Sequence, residues 1–353
     1  MRVLSLDGGG VRGISSLLIL EHILEKIRKA RGLDCTPKPC ELFDLIGGTS
    51  TGGIIAVMLG RLRMSVDECI KAYRKVAQRA FTPKWTLLPA PPQGLFSAKA
   101  LEAAIRDTVK EFCVESDCLT QRGRSLPTIN TCPHGEVQFR DTTCTKTVAL
   151  TITKDNVDAP PILLTTYDTS ASFDGCTIWQ VVRATSAATT FFKPIQVGRD
   201  GIEFVDAGFG YNNPCEILIQ EAERQFPQRR RLQVLSIGTG LGDVVDIGNA
   251  RLDILKALKK MATTSKKVAA RLDNRFGDDG QYFRFNVDRG LEDVTLSDWD
   301  KASKIAAHTR NYLNENQRMV SRFVDAFTRP YPAPEAATVN PGAGPSRQSG
   351  ELQ

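Results

Sequence analysis

Short apolar runs and amphipathic stretches alternate along most of the chain. Val3 to Leu6 is an apolar run that stops at three glycines and predicts a buried strand. After it, Leu17, Leu20, Leu24 and Ile27 recur at helical spacing with Glu25, Lys26 and Arg28 on the other side, which predicts a helix over 14–31. Phe43 to Ile46 reads as a second strand, and the apolar stretch Gly53 to Leu59 as the start of a buried helix. Ser65, with Glu68 three residues on, forms a capping box for a helix through SVDECIKAYRKV. Ser97 to Phe112 repeats the amphipathic pattern.

The middle of the chain favours strands. Thr147 to Thr153 and Ile162 to Tyr167 are rich in β-formers and bounded by polar or proline-rich loops. A helix is expected over Ile178 to Ala187, then strands at Ile202–Val205 and Leu232–Ile237 with a helix between them that starts near Cys215. Helical patterns at 252–275 and 299–327 flank a last strand, Tyr282 to Phe285. Strands alternating with helices predict an α/β fold, a largely parallel sheet covered on both faces, in a single domain over residues 1–329. From Pro330 onwards proline, alanine, glycine and serine dominate, and residues 330–353 are expected to be a disordered tail.

Composition sets limits on partners. The 353 residues can bury a substantial core, and 41% hydrophobic with 24% charged residues is globular. The formal charge of +6 suits an anionic surface. Basic clusters such as Arg229–Arg231 and Lys259–Lys260 lack interleaved aromatics, so nucleic acid is not expected as a partner. The nine cysteines include no C-x-x-C pair, which argues against a zinc site or a complete disulfide framework. No apolar stretch reaches the ~20 residues of a membrane helix, and the opening MRVLSLDGGG leaves no room for a signal peptide. A cytoplasmic protein is expected, with peripheral membrane contact allowed. One segment, Lys84–Phe96, is apolar at Trp85, Leu87, Leu88, Leu95 and Phe96 yet broken by prolines, so it either packs over the sheet or meets a lipid surface.

Three stretches carry chemistry. In LIGGTSTGG, Gly48-Thr49-Ser50-Thr51-Gly52 fits G-x-S-x-G, which sets a serine on a sharp strand-to-helix turn. The helix opening at Thr51 would turn its positive end toward a negative charge developing at Ser50. SLDGGGVRG, Ser5 to Gly13, matches the dinucleotide fingerprint G-x-G-x-x-G, but the acidic residue that motif needs about twenty residues on falls within the amphipathic helix. Consecutive glycines also serve as an oxyanion hole, where backbone N–H groups meet the oxygen of a tetrahedral intermediate. A serine nucleophile needs a base. His22, His134 and His308 have no motif around them, whereas Asp206 in EFVDAGFGYNNP follows a strand and precedes a glycine turn. A carboxylate there can take the serine proton directly, as a Ser50–Asp206 dyad.

Together these stretches resemble the patatin-like phospholipases, which are similar to calcium-independent phospholipase A enzymes. The glycine-rich oxyanion motif of that family is met by Gly8, Gly9, Gly10, Val11, Arg12 and Gly13, and its serine motif by Gly48 to Gly52 with Ser50 as nucleophile. Its acid motif is met in altered order as Asp206-Ala207-Gly208, and RATSAATTFFKP and LSIGTG also look like family segments. The resemblance spans roughly residues 1–330. It implies a three-layer α/β/α fold, a dyad that needs neither metal nor organic cofactor, and hydrolysis of a fatty acyl ester in a phospholipid or other glycerolipid. Two other readings stay open at this point: an esterase for soluble esters, and a signalling or interaction module in which hydrolysis is secondary.

Overall fold

The computed structural model of the protein describes residues 1–82, 95–113, 133–168, 170–189, 191–240 and 252–329. These hold one eight-stranded sheet. Its strands are β1 (Arg2–Leu6), β2 (Leu45–Thr49), β3 (Lys146–Thr153), β4 (Ile162–Thr165), β5 (Ile195–Val197), β6 (Ile202–Asp206), β7 (Gln233–Ile237) and β8 (Tyr282–Phe285). Hydrogen-bonded neighbours run β5-β6-β3-β2-β1-β7-β8, with β4 as a further partner of β3. The pairs from β3 through to β8 along this path are parallel, while β4, β5 and β6 are joined antiparallel.

Successive side chains of a strand point to opposite faces, so each central strand feeds two cores. Leu4, Leu6, Leu235 and Ile237 join one core, with helices Gly13–Arg31, Val66–Ala80, Ala98–Glu111, Ile178–Thr185 and Gln317–Thr328. Val3 and Val234 join the other, against helices Cys215–Gln225 and Leu252–Phe276. The result is a three-layer α/β/α sandwich.

The register along β3 brings two strand ends together. Val148, Ala149 and Leu150 have β2 on one edge and β4 on the other. At Thr151 β4 is still paired, through Ile162, and Asp206 of β6 takes the edge that β2 has just left. Thr49, the last residue of β2, lies opposite Leu150, and Asp206, the last of β6, lies opposite Thr151. The C-terminal ends of β2 and β6 therefore meet head-on along β3.

Four local expectations shift. The second strand starts at Leu45 because Phe43 closes a helical turn onto the Pro39 carbonyl and Asp44 accepts from the Arg2 N–H. The helix after the serine begins at Thr51 and widens into a π-helical stretch at Val57–Arg61. The pattern over 299–327 is two helices, Ala302–Glu315 and Gln317–Thr328, because Asn316 turns its Nδ2 back onto the Tyr312 carbonyl at 2.8 Å and leaves helical backbone. The short strand β5, just after Pro194, has no run of alternating residues to announce it. Lys84 to Gly94 and the tail 330–353 lie outside the described residues.

Candidate active site

One residue makes the turn from β2 to the helix Thr51–Ala56. Ser50 has φ 56° and ψ −126°, a conformation that costs a residue with a Cβ about 1–3 kcal/mol. Its neighbours are glycines for steric reasons. A Cβ on Gly48 would run into the Gly52 carbonyl, and one on Gly52 into the Leu6 carbonyl. The Ser50 N–H donates to Thr185 Oγ1 at 3.0 Å, and Thr185 donates in turn to the Leu150 carbonyl at 2.7 Å. The strained turn is thus tied to β3 through a side chain.

β1 delivers the glycine-rich loop to the same place. Most of its N–H groups are spoken for: Gly8 donates to the Asn212 carbonyl at 3.1 Å, Gly9 to Thr51 Oγ1 at 3.0 Å, Val11 to the Leu296 carbonyl at 2.8 Å and Arg12 to the Gly9 carbonyl at 3.2 Å. Gly13 closes back onto Gly10 and Val11. Gly10 remains. Among the described residues no acceptor takes its N–H, and it lines the cavity beside Ser50. The Thr51 N–H, at the first helical position, likewise has no acceptor within its helix. Tyr73 holds the loop from behind, its hydroxyl donating to the Gly10 carbonyl at 2.6 Å. The buried Arg12 guanidinium points elsewhere, to the carbonyls of Val294 and Gly240.

The loop is poorly suited to a dinucleotide. A phosphate cradle needs several free backbone N–H groups, but here those of Gly8, Gly9, Val11 and Arg12 already have protein acceptors. The glycines serve close packing instead. A Cβ on Gly8 would meet Asn212 Oδ1 at 2.6 Å, one on Gly9 the Thr239 side chain, and one on Gly10 the Leu296 backbone.

Asp206 is buried, 3% exposed, at the end of β6. Its Oδ1 accepts from the Gly208 N–H at 2.8 Å, and no ion pair holds it among the described residues. Burial pushes its carboxyl up to about 6, opposed first by the Ser50 hydroxyl and then by the Gly208 N–H. Ala207 has φ −75°, which an alanine adopts freely, so the altered order of small residues leaves the turn unstrained. The acid segment also interlocks with the other two: Thr49 Oγ1 donates to the Tyr211 carbonyl at 2.7 Å, and Gly8 to that of Asn212.

All three segments open on one cavity with about 820 Å³ between its walls, part of it open to solvent. Ser50, Thr51, Ser186 and Asp206 line one part, and Ile54, Val76, Ala77, Ala80, Leu101, Phe191 and Phe192 are among the residues that make the rest apolar. None of the three histidines lines it. His134 sits by Cys113 Sγ at 3.4 Å, and His308 lines a separate polar cleft. Among the described residues no three His, Cys, Asp or Glu side chains gather as a metal site. Tyr73, Thr185 and Asn212 are the contributors that sequence reasoning missed. Asn212 stands in the quoted EFVDAGFGYNNP and Thr185 in RATSAATTFFKP, but neither pattern says which carbonyl or N–H a side chain will meet.

Residues 4–219, a stretch that holds all three motifs, match the family model for patatin-like phospholipase. The chain is 27% identical over 341 residues to calcium-independent phospholipase A2-gamma of Homo sapiens, which covers 91% of this chain and 39% of that protein. It is 25% identical over 384 residues to phospholipase A I of Arabidopsis thaliana, 94% of this chain and 28% of that one. A third relative, at 27% identity over 68% of this chain and 60% of its own length, is the Arabidopsis thaliana protein named "Probable inactive patatin-like protein 9". The chain thus spans well under half the length of the two phospholipases. With its glycine loop, serine turn and aspartate all inside the matched stretch, the chain belongs to the patatin-like phospholipase family.

Proposed function

We propose that the protein is a lipid acyl hydrolase that cleaves fatty acyl esters of phospholipids or other glycerolipids through Ser50 and Asp206. The observation that carries this reading is the head-on meeting of β2 and β6, which sets a strained serine beside a buried carboxylate with no cation among the described residues, at the mouth of an apolar cavity. Asp206 takes the Ser50 proton as Oγ attacks the ester carbonyl. The N–H groups of Gly10 and Thr51 receive the oxyanion, and losing one such donor typically costs ~10²–10³ in turnover. Collapse expels the alcohol, which leaves with the proton from Asp206. Water, deprotonated by Asp206, then attacks the acyl carbonyl, and the fatty acid is released as Ser50 Oγ takes that proton back from Asp206. A carboxylate near 6 is matched to this work at neutral pH, since it is ionised yet basic enough to accept a proton. Backbone amides supply the electrophilic stabilisation, so EDTA and EGTA are expected to leave turnover unchanged.

Among the described residues no helix is long and apolar enough to cross a membrane, and a peripheral approach to the lipid surface is inferred. Ser50→Ala tests the assignment. The purified variant should fold, lose labelling by a fluorophosphonate probe and fall to background on phospholipid vesicles, with free fatty acid read by mass spectrometry. A family that includes a relative named as inactive makes the measurement necessary. Labelling at Ser50 without any lipid turnover would favour a soluble-ester substrate, and no labelling at all an interaction module.

A further inference from the structure

Two stretches of wall link the reactive end of the cavity to an aromatic cluster. The first is the helix Val66–Ala80. Tyr73, Val76, Ala77 and Ala80 fall on one face of it, at helical spacing, and all line the cavity, with Phe81 at the helix end. Tyr73 is at the reactive end, bonded to Gly10. The second wall is made by Ser186, Ala188, Phe191 and Phe192. It too begins at the reactive end, because the Asp206 N–H donates to the Ala187 carbonyl at 3.1 Å. Both walls finish at one aromatic cluster. Phe81 lies 5.3 Å from Phe96 and 5.8 Å from Phe192 between ring centroids, and Phe96 stacks on Phe191 at 6.0 Å.

We propose that the Val76–Ala77–Ala80 face is a ruler for the fatty acyl chain and that Phe81, Phe191 and Phe192, backed by Phe96, are its stop. This rests on the acyl-ester reading above and adds a chain length to it. From Tyr73 to Phe81 the helix rises about 12 Å, at ~1.5 Å per residue. An extended hydrocarbon advances roughly 1.25 Å per carbon, from ~1.5 Å bonds at tetrahedral angles. That rise matches an acyl chain of roughly ten carbons laid along the helix face. Two alanines where the chain must pass leave room that larger apolar residues would fill. Val76, Ala77, Ala80 and Leu101 present only carbon to the cavity, so they recognise length and no polar group.

The test is kcat/KM for monomeric 4-nitrophenyl esters from C4 to C14, measured beside each variant's melting temperature. For the unaltered chain, kcat/KM should climb about fourfold per added methylene, the worth of ~0.8 kcal/mol of burial, and stop climbing near ten carbons. Ala77→Leu should lower the C10 to C4 ratio at least tenfold. Ala80→Leu, a turn nearer the rings, should spare C6 and penalise C10. Phe192→Ala removes part of the stop and should move the break to longer chains, so the set succeeds even if one variant does not fold. Folded variants whose chain-length profiles run parallel to the parent's overturn the ruler and leave the hydrolase standing. A parent chain that cleaves none of the esters overturns the acyl-ester reading, and the ruler with it.

Discussion

Two aspartates stand at strand ends around this site, equally buried at 3% exposure, and their surroundings differ in one respect. Asp7, just past β1, is gripped by Arg284 of β8 through two parallel bonds of 2.8 and 2.5 Å. Burial holds its carboxyl above the ordinary range and Arg284 pulls it only part of the way back, while the guanidinium, which burial would lower, is held above its ordinary range by Asp7. Asp206 has a backbone N–H and a serine hydroxyl and, among the described residues, no cation. The first arrangement fixes the glycine loop to the far side of the sheet. The second keeps a carboxylate basic enough to move a proton. Position at a strand end does not separate a structural acid from the proposed base; here the buried arginine beside Asp7 does.

The largest expected difference is in turnover. Asp206→Asn keeps the side chain's size and its bond from Gly208 while removing the proton acceptor, so ester hydrolysis should fall ~10²–10⁴-fold. Near-normal hydrolysis in that variant would end the dyad, and loss of activity on changing any one of His22, His134 or His308 to Gln in a folded protein would replace it by a triad. In the parent chain log kcat/KM should fall with unit slope as the pH drops below about 6, where Asp206 takes up its proton. A flat profile from pH 5 to 8 contradicts that assignment.

Stability should move in opposite directions at the two acids. Asp7→Asn strands the Arg284 guanidinium in the interior and should destabilise by about 3–5 kcal/mol in urea melts. Asp206→Asn should stabilise at pH 8. Its folded value, about 6, is above the ordinary 3.8, so it favours folding below pH 3.8 and that help is lost as pH rises through 6. Keeping the buried charge at pH 8 costs up to about 3 kcal/mol, which the neutral variant avoids. Equal losses of stability at both positions would erase the distinction. Smallest is Tyr73→Phe, which leaves the Gly10 carbonyl without its donor, worth about 1–3 kcal/mol. We expect kcat to drop by roughly 10–100-fold, with KM and the pH limb little changed. An equal effect on KM would mean that Tyr73 shapes the cavity and does not hold the loop.

Much of this architecture is legible in the chain. Apolar runs and helical periodicity name nearly all the central strands and the helices over them, because burial on both faces demands apolar residues wherever a strand passes. The elbow is legible because two close backbone approaches admit only glycine, at Gly48 and Gly52. Less legible are β5, a three-residue edge strand paired to β6, and the break at Asn316, whose side chain competes for a backbone acceptor. The glycine loop divides the same way. Its sequence announces backbone donors, but which of them stay unengaged depends on Asn212, Thr51 and Leu296, from three other segments.

Ser50, Asp206 and the glycines are thus local facts, since each answers to a turn or strand end that its own neighbours dictate. Their meeting is a tertiary one. Residues 50 and 206 come together only because β3 offers one edge to β2 as far as Leu150 and to β6 from Thr151, a register set by hydrogen bonds between distant segments. The same holds for the chemistry of the two acids. Both appear as an aspartate after an apolar strand, and only the folded chain puts Arg284 against Asp7 and, among the described residues, low-dielectric surroundings without a cation around Asp206. Charge interactions act through space, so the sequence distance of 277 residues between Asp7 and Arg284 hides the pair that decides which carboxylate is free to react.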